Sequence, residues 1–366
     1  MFSAADHMYM ARALQLARRA LDTSSPNPRV GCVIVRGDAV IAEGWHARAG
    51  EPHAEIHALR QAAEQARGAT VYVSLEPCSH HGRTPPCADA LVDAQVARVV
   101  AAMRDPNPKV AGSGLVRLQA AGIATTSGLL EVQARELNIG FVSRMERGRP
   151  WLRVKTAASL DGRTALANGV SQWITGLPAR RDGHRWRARS CAVMTGIGTL
   201  LHDDSRLTVR EVEATRQPLR IVVDRDLLLP PDARIFEDPA PVLVFTALED
   251  RAKRAVLEQR GAQVVSLPDG QGKVDLRRML EELARREINE ILVESGNRLN
   301  GALLRAGLVD ELVVYLAPQL LGDRARGMFD LGEITALDAR VDLSIHDVRR
   351  IGEDWRIIAR VARKEP

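Results

Sequence analysis

Two short runs constrain this chain more than any others: Pro52-His53-Ala54-Glu55, and Glu76-Pro77-Cys78 with Cys87 following it. Zinc takes imidazole and thiolate ligands, and a catalytic zinc keeps three protein ligands and one open position for water. His53, Cys78 and Cys87 supply three ligands for one zinc ion per chain. Glu55 is left over, two residues past the histidine, as the catalytic group that moves protons. A lone cysteine is usually a small buried hydrophobe, and a lone His-x-Glu means little. Both halves together, each followed by helix-like sequence, mark a metal site. A structural zinc knot is the competing reading, and it leaves Glu55 without a task. Between the cysteines lies Ser79-His80-His81-Gly82-Arg83-Thr84-Pro85-Pro86, a polar, turn-rich insertion expected to line a substrate mouth.

Around that pair of runs, strand and helix alternate. Helical spacing covers residues 7–21, and Val30 to Val35 reads as a buried strand with Val40 to Gly44 as its hairpin partner. A helix opens at His53, which puts the ligand and Glu55 on its first turn. His46 reads as an exposed loop residue and His57 as packing behind the site. A strand from Thr70 to Leu75 runs into Glu76. A helix follows from Cys87 to Ala94, then a strand from Val96 to Met103 running into Asp105-Pro106-Asn107-Pro108. Helices are expected at 112–123 and 131–138. Alternation of this kind is the three-layer α/β pattern. Phe141 to Pro150 carries Arg144, Arg147 and Arg149 and reads as a charged, exposed connector, so domains are expected at 1–146 and 147–366.

The second half reads as a strand from Trp151 to Ala157 and a helix from about Pro178. The arginines of that helix, at 180, 181, 185, 187 and 189, read as a solvated face. The run Val193 to Thr199 enters a glycine turn but lacks the third glycine of a dinucleotide fingerprint. Strands are expected at 219–223, 242–245 and 261–266, and an amphipathic helix at 276–286. A buried strand from Glu290 to Glu294 enters Ser295-Gly296-Asn297-Arg298-Leu299-Asn300-Gly301, where two glycines at a helix start let backbone amides approach a phosphate. A strand at 312–317 and an antiparallel pair, 341–348 with 355–361, close the domain. Arg324 to Asp330 reads only as a loop.

Composition narrows the class. At roughly 150 residues per domain, 366 residues make two domains. No apolar stretch reaches the ~18 residues of a membrane span, and the N-terminus lacks a signal pattern, so a cytoplasmic protein without a membrane partner is expected. The net charge of +5 comes from 51 basic and 46 acidic residues. These are interspersed, unlike the basic stripe of a nucleic-acid binder, and no nucleic-acid partner is expected. A phosphorylated small molecule needs only a few local cations. Cys32 and Cys191 lie in apolar runs and are expected in the core, without a disulfide framework.

The run Ser74 to Cys87 resembles the bifunctional deaminase-reductases of riboflavin biosynthesis. So do Pro26-Asn27-Pro28-Arg29-Val30-Gly31-Cys32, Arg104 to Pro108, Ala158-Ser159-Leu160-Asp161-Gly162-Arg163-Thr164 and Val293 to Gly301. The resemblance implies a cytidine-deaminase-like three-layer domain, then a dihydrofolate-reductase-like α/β domain that binds NADPH. It implies hydrolytic deamination of 2,5-diamino-6-(ribosylamino)pyrimidin-4-one 5′-phosphate. Reduction of the ribosyl group of 5-amino-6-(5-phosphoribosylamino)uracil to ribityl then follows. In the first half Asn27, His80, Arg83, Asp105 and Asn107 would meet this phosphorylated pyrimidine; each also reads as an ordinary turn residue. In the second half Ala157, Trp173, Thr199, Asp203 and the run Gly296, Asn297, Arg298, Leu299, Asn300, Gly301 and Ala302 match cofactor positions. Ser171, Arg187, Leu207, Arg210 and Glu294 match substrate positions. Arg187 and Arg210 suit a ribose phosphate, which guanidinium grips with paired hydrogen bonds, and Lys155 suits the same end. Arg225 departs from the family, which has a small hydroxyl residue there, and leaves that cofactor contact open. Homo-oligomers are the family habit.

Two rivals remain at this level. A nucleoside or tRNA deaminase with an unrelated C-terminal domain predicts salt-sensitive tRNA binding. A zinc-stabilised interaction protein predicts stability that is abolished by chelation and indifferent to Glu55→Gln.

Overall fold

Ser3 starts the first unit: its hydroxyl accepts the Asp6 N–H at 3.1 Å while the Asp6 carboxylate accepts the Ser3 N–H at 2.8 Å. That reciprocal cap satisfies two of the free donors of a helix start and opens α1 (Ala4–Ala17). The hairpin β1 (Gly31–Arg36) and β2 (Ala39–Trp45) comes next, then α2 (Ala54–Ala62) and β3 (Thr70–Val73). The unit continues with α3 (Cys87–Asp93), β4 (Arg98–Ala101), α4 (Ser113–Ala120), β5 (Ala124–Ser127), α5 (Glu131–Leu137) and α6 (Ile139–Arg147). The structure, a computed structural model, describes residues 2–80, 85–108 and 110–362. It divides into two units, Met1–Arg149 and Pro150–Pro366.

The strands of the first unit lie in the order β2-β1-β3-β4-β5, antiparallel across β1 and parallel from β3 to β5. Alternate side chains of β1 go to opposite faces. Cys32 and Ile34 join the core built with α2, α3 and α4, whereas Val33 and Val35 join the core built with α1, α5 and the start of α6. Helices on both faces make three layers.

Two expectations change here. The stretch 141–150 is not an exposed connector, because α6 buries Phe141, Val142 and Ser143. Arg144 lies over the Phe141 ring and Arg147 bonds Ser143 Oγ, so the arginines flank the buried side, and their density hid the apolar positions. The unit boundary falls at Arg149/Pro150, beyond the end of α6. Strand β5, alternating exposed and half-buried, had too little apolar content to read from sequence.

The second unit runs β6 (Trp151–Ser159), β7 (Arg163–Ala165), α7 (Leu177–Arg189), β8 (Ala192–Gly196), α8 (Ile197–Asp203), β9 (Leu219–Val223), β10 (Val242–Thr246), α9 (Arg251–Gln259) and β11 (Ala262–Ser266). It ends with α10 (Leu276–Arg285), β12 (Glu290–Val293), α11 (Asn297–Arg305), β13 (Glu311–Ala317), β14 (Arg326–Gly327), β15 (Leu343–Ile351) and β16 (Asp354–Val361). Nine strands form one sheet, in the order β11-β10-β9-β8-β12-β6-β13-β16-β15. It is parallel from β11 to β13 and antiparallel in the last two pairings. Met279, Leu280 and Leu283 of α10 and Leu303 of α11 pack on one face; Trp186 of α7, Leu200 of α8 and Leu257 of α9 pack on the other. Helix α9, held by the Asp250 cap, buries only Leu257 and so carries no apolar stripe in the sequence. Part of the segment 324–330 is strand: β14 pairs with β7. Among the described residues, no helix is long and apolar enough to cross a membrane.

Seven parallel strands put their carboxyl ends on one edge. In open α/β sheets ligands bind outside that edge, and the glycine turns after β8 and β12 both lie there.

Candidate active sites

In the first unit the ends of α2 and α3 and the loop after β3 converge. His53 is the residue preceding α2, Cys87 is the first residue of α3, and Cys78 follows β3. His53 Nδ1 lies 3.3 Å from Cys87 Sγ and 3.6 Å from Cys78 Sγ. Tetrahedral zinc, with bonds of ~2.0 Å to nitrogen and ~2.3 Å to sulfur, needs nitrogen and sulfur ligands about 3.5 Å apart. The three ligand atoms all lie within 4.8 Å of one another. The donor set and its spacing therefore fit zinc. The Cys87 thiol and the Cys87 N–H, the latter at 3.3 Å, stabilise the Cys78 thiolate and hold it down at about 4, while the Cys87 thiol is pushed up by its neighbour.

Glu55, on the first turn of α2, is 3 % exposed. Burial, then the Cys78 thiolate, push its carboxyl up to about 7. A carboxyl near neutrality both takes and gives protons at working pH.

Glu76 is not a ligand but a brace. Its two carboxylate oxygens accept four backbone N–H groups, from Asp105, Gly112, Gly114 and Leu115, at 2.9–3.3 Å. Three belong to the start of α4, where a carboxylate also meets the positive end of the helix dipole. This ties the Pro77–Cys78 turn to α4. Gly114 is required there: a Cβ would run into the Pro77 carbonyl oxygen.

Asn27 Nδ2 donates to His46 Nε2 at 3.0 Å, and His46 Nδ1 bonds the Pro52 carbonyl at 3.2 Å. The His46 ring stands edge-on to His53 at 5.2 Å. His46 is buried, not exposed as its loop position implied. Asp105 is buried, which pushes its carboxyl up to about 6, and its Oδ1 accepts the Asn107 N–H at 2.8 Å in a turn. His80 is exposed; Arg83 lies outside the described residues. His57 packs on α2 with its Nε2 buried.

In the second unit the substrate candidates gather where β6, β12, α7 and the loop after α8 meet. Glu294 accepts Arg187 Nε at 2.7 Å and Nη2 at 2.9 Å, and Lys155 Nζ lies 4.0 Å away. Arg187 Nη1 also donates to the Thr208 carbonyl at 2.8 Å. Arg187 and Arg189 thus leave the solvated face expected of them, Arg189 reaching Glu290 at 3.5 Å. Burial pushes the Glu294 carboxyl up, but Arg187 and Lys155 prevail and hold it at about 2; burial lowers the Lys155 ammonium. Leu207 is buried at φ 55°, a conformation that costs a branched residue energy and is retained where the surroundings impose it. Arg210 Nη1 donates to Thr208 Oγ1 at 3.2 Å. Ser171 lies in the loop before α7.

The cofactor candidates line the neighbouring turns. Thr199 Oγ1, on the first turn of α8, accepts the Gly296 N–H at 2.9 Å and so joins the two glycine turns. Asp203, at the end of α8, pairs with His202 at 2.9 Å. Ala157 lies on β6, and Trp173 is 67 % exposed under the Arg180 guanidinium. Within the run 296–302, Gly296, Asn297 and Arg298 begin α11, and Leu299 packs on Gly196. Asn300 is buried, bonding Ser295 and the Met328 carbonyl, and a Cβ on Gly301 would strike the Asp330 backbone. A small-residue turn opening a helix at the sheet's carboxyl edge fits a dinucleotide phosphate. Arg225, exposed beyond β9, pairs with Asp226 at 2.9 Å.

Residues 3–103 match the cytidine and deoxycytidylate deaminase zinc-binding region, and residues 150–357 match the RibD C-terminal domain. The chain is 49% identical to riboflavin biosynthesis protein RibD of Escherichia coli over 361 residues, 95% of this chain and 97% of the relative. It is 42% identical to the Haemophilus influenzae protein, with 97% of each covered. Acinetobacter baumannii RibD superposes with a TM-score of 0.91 at 44% identity, covering 98% of this chain and 99% of that one. A diaminohydroxyphosphoribosylaminopyrimidine deaminase/5-amino-6-(5-phosphoribosylamino)uracil reductase from Thermotoga maritima does so with a TM-score of 0.86 at 32% identity, over the same shares. Such likeness across both units, each carrying its own site, makes this chain a member of the RibD family of riboflavin-biosynthesis proteins.

Proposed function

We infer that this chain carries out two consecutive steps of riboflavin biosynthesis. The first unit deaminates 2,5-diamino-6-(ribosylamino)pyrimidin-4-one 5′-phosphate. The second reduces the ribosyl group of 5-amino-6-(5-phosphoribosylamino)uracil to ribityl with NADPH. The carrying observation is the His53–Cys78–Cys87 cluster beside a buried Glu55, joined in one chain to a RibD C-terminal domain. That domain also removes the reason for a tRNA deaminase with an unrelated second half.

His53, Cys78 and Cys87 would hold zinc, which would supply the Lewis acidity that makes water a nucleophile near neutral pH. Glu55 would take a proton from the attacking water and return it to the departing amine, a role its burial suits. Asn27, with His46 behind it, orients the pyrimidine, and His80, Asp105 and Asn107 border the mouth; Arg83 remains a substrate-binding candidate on its residue type alone.

In the second unit NADPH supplies the hydride. Ala157, Trp173, Thr199, Asp203 and the turn beginning at Gly296 bind the cofactor. Ser171, Leu207, Arg210 and Lys155 hold the ribotide, with Arg187 clamped in place by Glu294. The protein works in the cytoplasm on small molecules, with no nucleic-acid partner. It acts as a homo-oligomer; the edge strand β15, with Leu343, Ile345 and Val348 exposed, supports self-association.

Mass spectrometry of purified protein with the diamino ribotide tests the whole reading. Replacement of NH₂ by OH adds about one mass unit without NADPH, and reduction adds about two more with it. No mass change in zinc-loaded protein would overturn it.

A further inference from the structure

The substrate cluster of the second unit contains one group that neither motif nor family match singled out. His184 lies on α7, one turn before Arg187, and is 8 % exposed. The charges of four groups act on its ring: Lys155 from β6, Arg187 from α7, Glu294 after β12, and Arg210 from the loop after α8. Its Nδ1 accepts the Arg210 backbone N–H at 3.3 Å. A ring nitrogen that accepts a hydrogen bond carries no proton, so the proton of the neutral ring sits on Nε2. Burial, then the Arg187 cation, lower its pKa to about 4, which keeps the ring neutral at working pH. Among the described residues, Nε2–H has no acceptor, and Nε2 is not one of the side-chain atoms sealed from solvent without a partner. The donor is therefore open to a ligand entering the site.

The surroundings say which acceptor is missing. Glu294 compensates Arg187 through two hydrogen bonds and stands 4.0 Å from Lys155. Arg210 has no carboxylate among its hydrogen-bond partners; its guanidinium donates to Thr208 Oγ1. The cluster therefore carries uncompensated positive charge, and its complement is an anion that only accepts. A phosphate answers that description, and a neutral N–H donor adds a hydrogen bond there without burying another charge. We propose that His184 is a further substrate-binding residue of the reductase site, its Nε2–H donating to the 5′-phosphate of the ribotide beside Arg210. This rests on assigning that substrate to the Lys155–Arg187–Arg210–Glu294 cluster.

The test is steady-state reduction by the full chain with NADPH, comparing the uracil ribotide with its dephosphorylated nucleoside. In H184N the amide oxygen still accepts from Arg210 N–H, but nothing donates at the Nε2 position. A hydrogen bond to a charged group is worth about 10- to 100-fold in affinity. KM for the ribotide should rise by about that factor, kcat should change little, and the nucleoside should react as with the wild type. Ribose 5-phosphate binding, followed by calorimetry, should weaken in parallel. H184Q makes the converse change, keeping a donor and losing the acceptor, and should retain the preference for ribotide over nucleoside; it carries the test if H184N does not fold. An unchanged ribotide KM in H184N, an equal loss for both substrates, or loss of the preference in H184Q would overturn the role of His184. A wild type that does not distinguish ribotide from nucleoside would instead remove the phosphate site from this cluster altogether.

Discussion

Glu294→Gln tests the electrostatics of the second site most directly. The wild-type carboxylate accepts two Arg187 hydrogen bonds and faces Lys155 at 4.0 Å. The amide is neutral, and its NH₂ must confront one Arg187 N–H, so two cations are left buried without a counter-charge. Holding the carboxyl at about 2 instead of 4.5 corresponds to about 3 kcal/mol of preference for the charged form at neutral pH. Removing one partner of a buried pair costs a similar ~3–5 kcal/mol. The expected loss is therefore about 3 kcal/mol, confined to the second unit. Four of the five tryptophans, Trp151, Trp173, Trp186 and Trp355, belong to that unit, so urea unfolding followed by tryptophan fluorescence reads it. The sign with pH follows from a lowered carboxyl: the stabilisation is complete above its unfolded value near 4.5 and is lost as pH falls towards about 2. The gap between wild type and variant should be full at pH 7 and narrow steadily below pH 4.5. A variant within ~0.5 kcal/mol of wild type at pH 7, or a gap that widens in acid, would refute the reasoning.

Other outcomes separate the two sites. Glu55→Gln should slow deamination by about 10²- to 10⁴-fold while zinc content, measured by atomic absorption, and reduction of the uracil ribotide stay unchanged; loss of zinc would make Glu55 structural. Chelation should abolish deamination and leave reduction intact, whereas loss of both activities would place the metal in the stability of the whole chain. Gly114→Ala drives a methyl group into the Pro77 carbonyl and should destabilise the first unit by ~1–3 kcal/mol, with faster zinc release to a chromogenic chelator. Unchanged melting and zinc release would mean that the α4 contact does not position Cys78.

The cluster of His53, Cys78 and Cys87 beside Glu55 was legible in the chain because zinc chemistry demands particular residue types, and the Pro-Cys turn and the helix starts are local. Most strands were legible for a related reason: continuous runs such as Val193-Met194 and Ile291-Leu292-Val293 are buried on both faces of a parallel sheet. Folding was needed to decide what polar residues do at long range. Glu76 stands beside Cys78 in sequence yet spends its oxygens on backbone groups from Asp105 to Leu115. Arg187 looks like one of five surface arginines until Glu294, just past β12, neutralises it. His46 reads as a loop residue until Asn27 and the Pro52 carbonyl enclose it. His184 and Arg187 share a helical face, which the sequence does show, but Arg210 must arrive from another loop before the histidine's tautomer is set. Sequence thus determined most of the elements and the donor set of the metal cluster, where local pattern and ligand preference suffice. Tertiary structure alone decided protonation, pairing and packing at both sites, because charge and hydrogen-bond energies depend on burial and on partners far away along the chain.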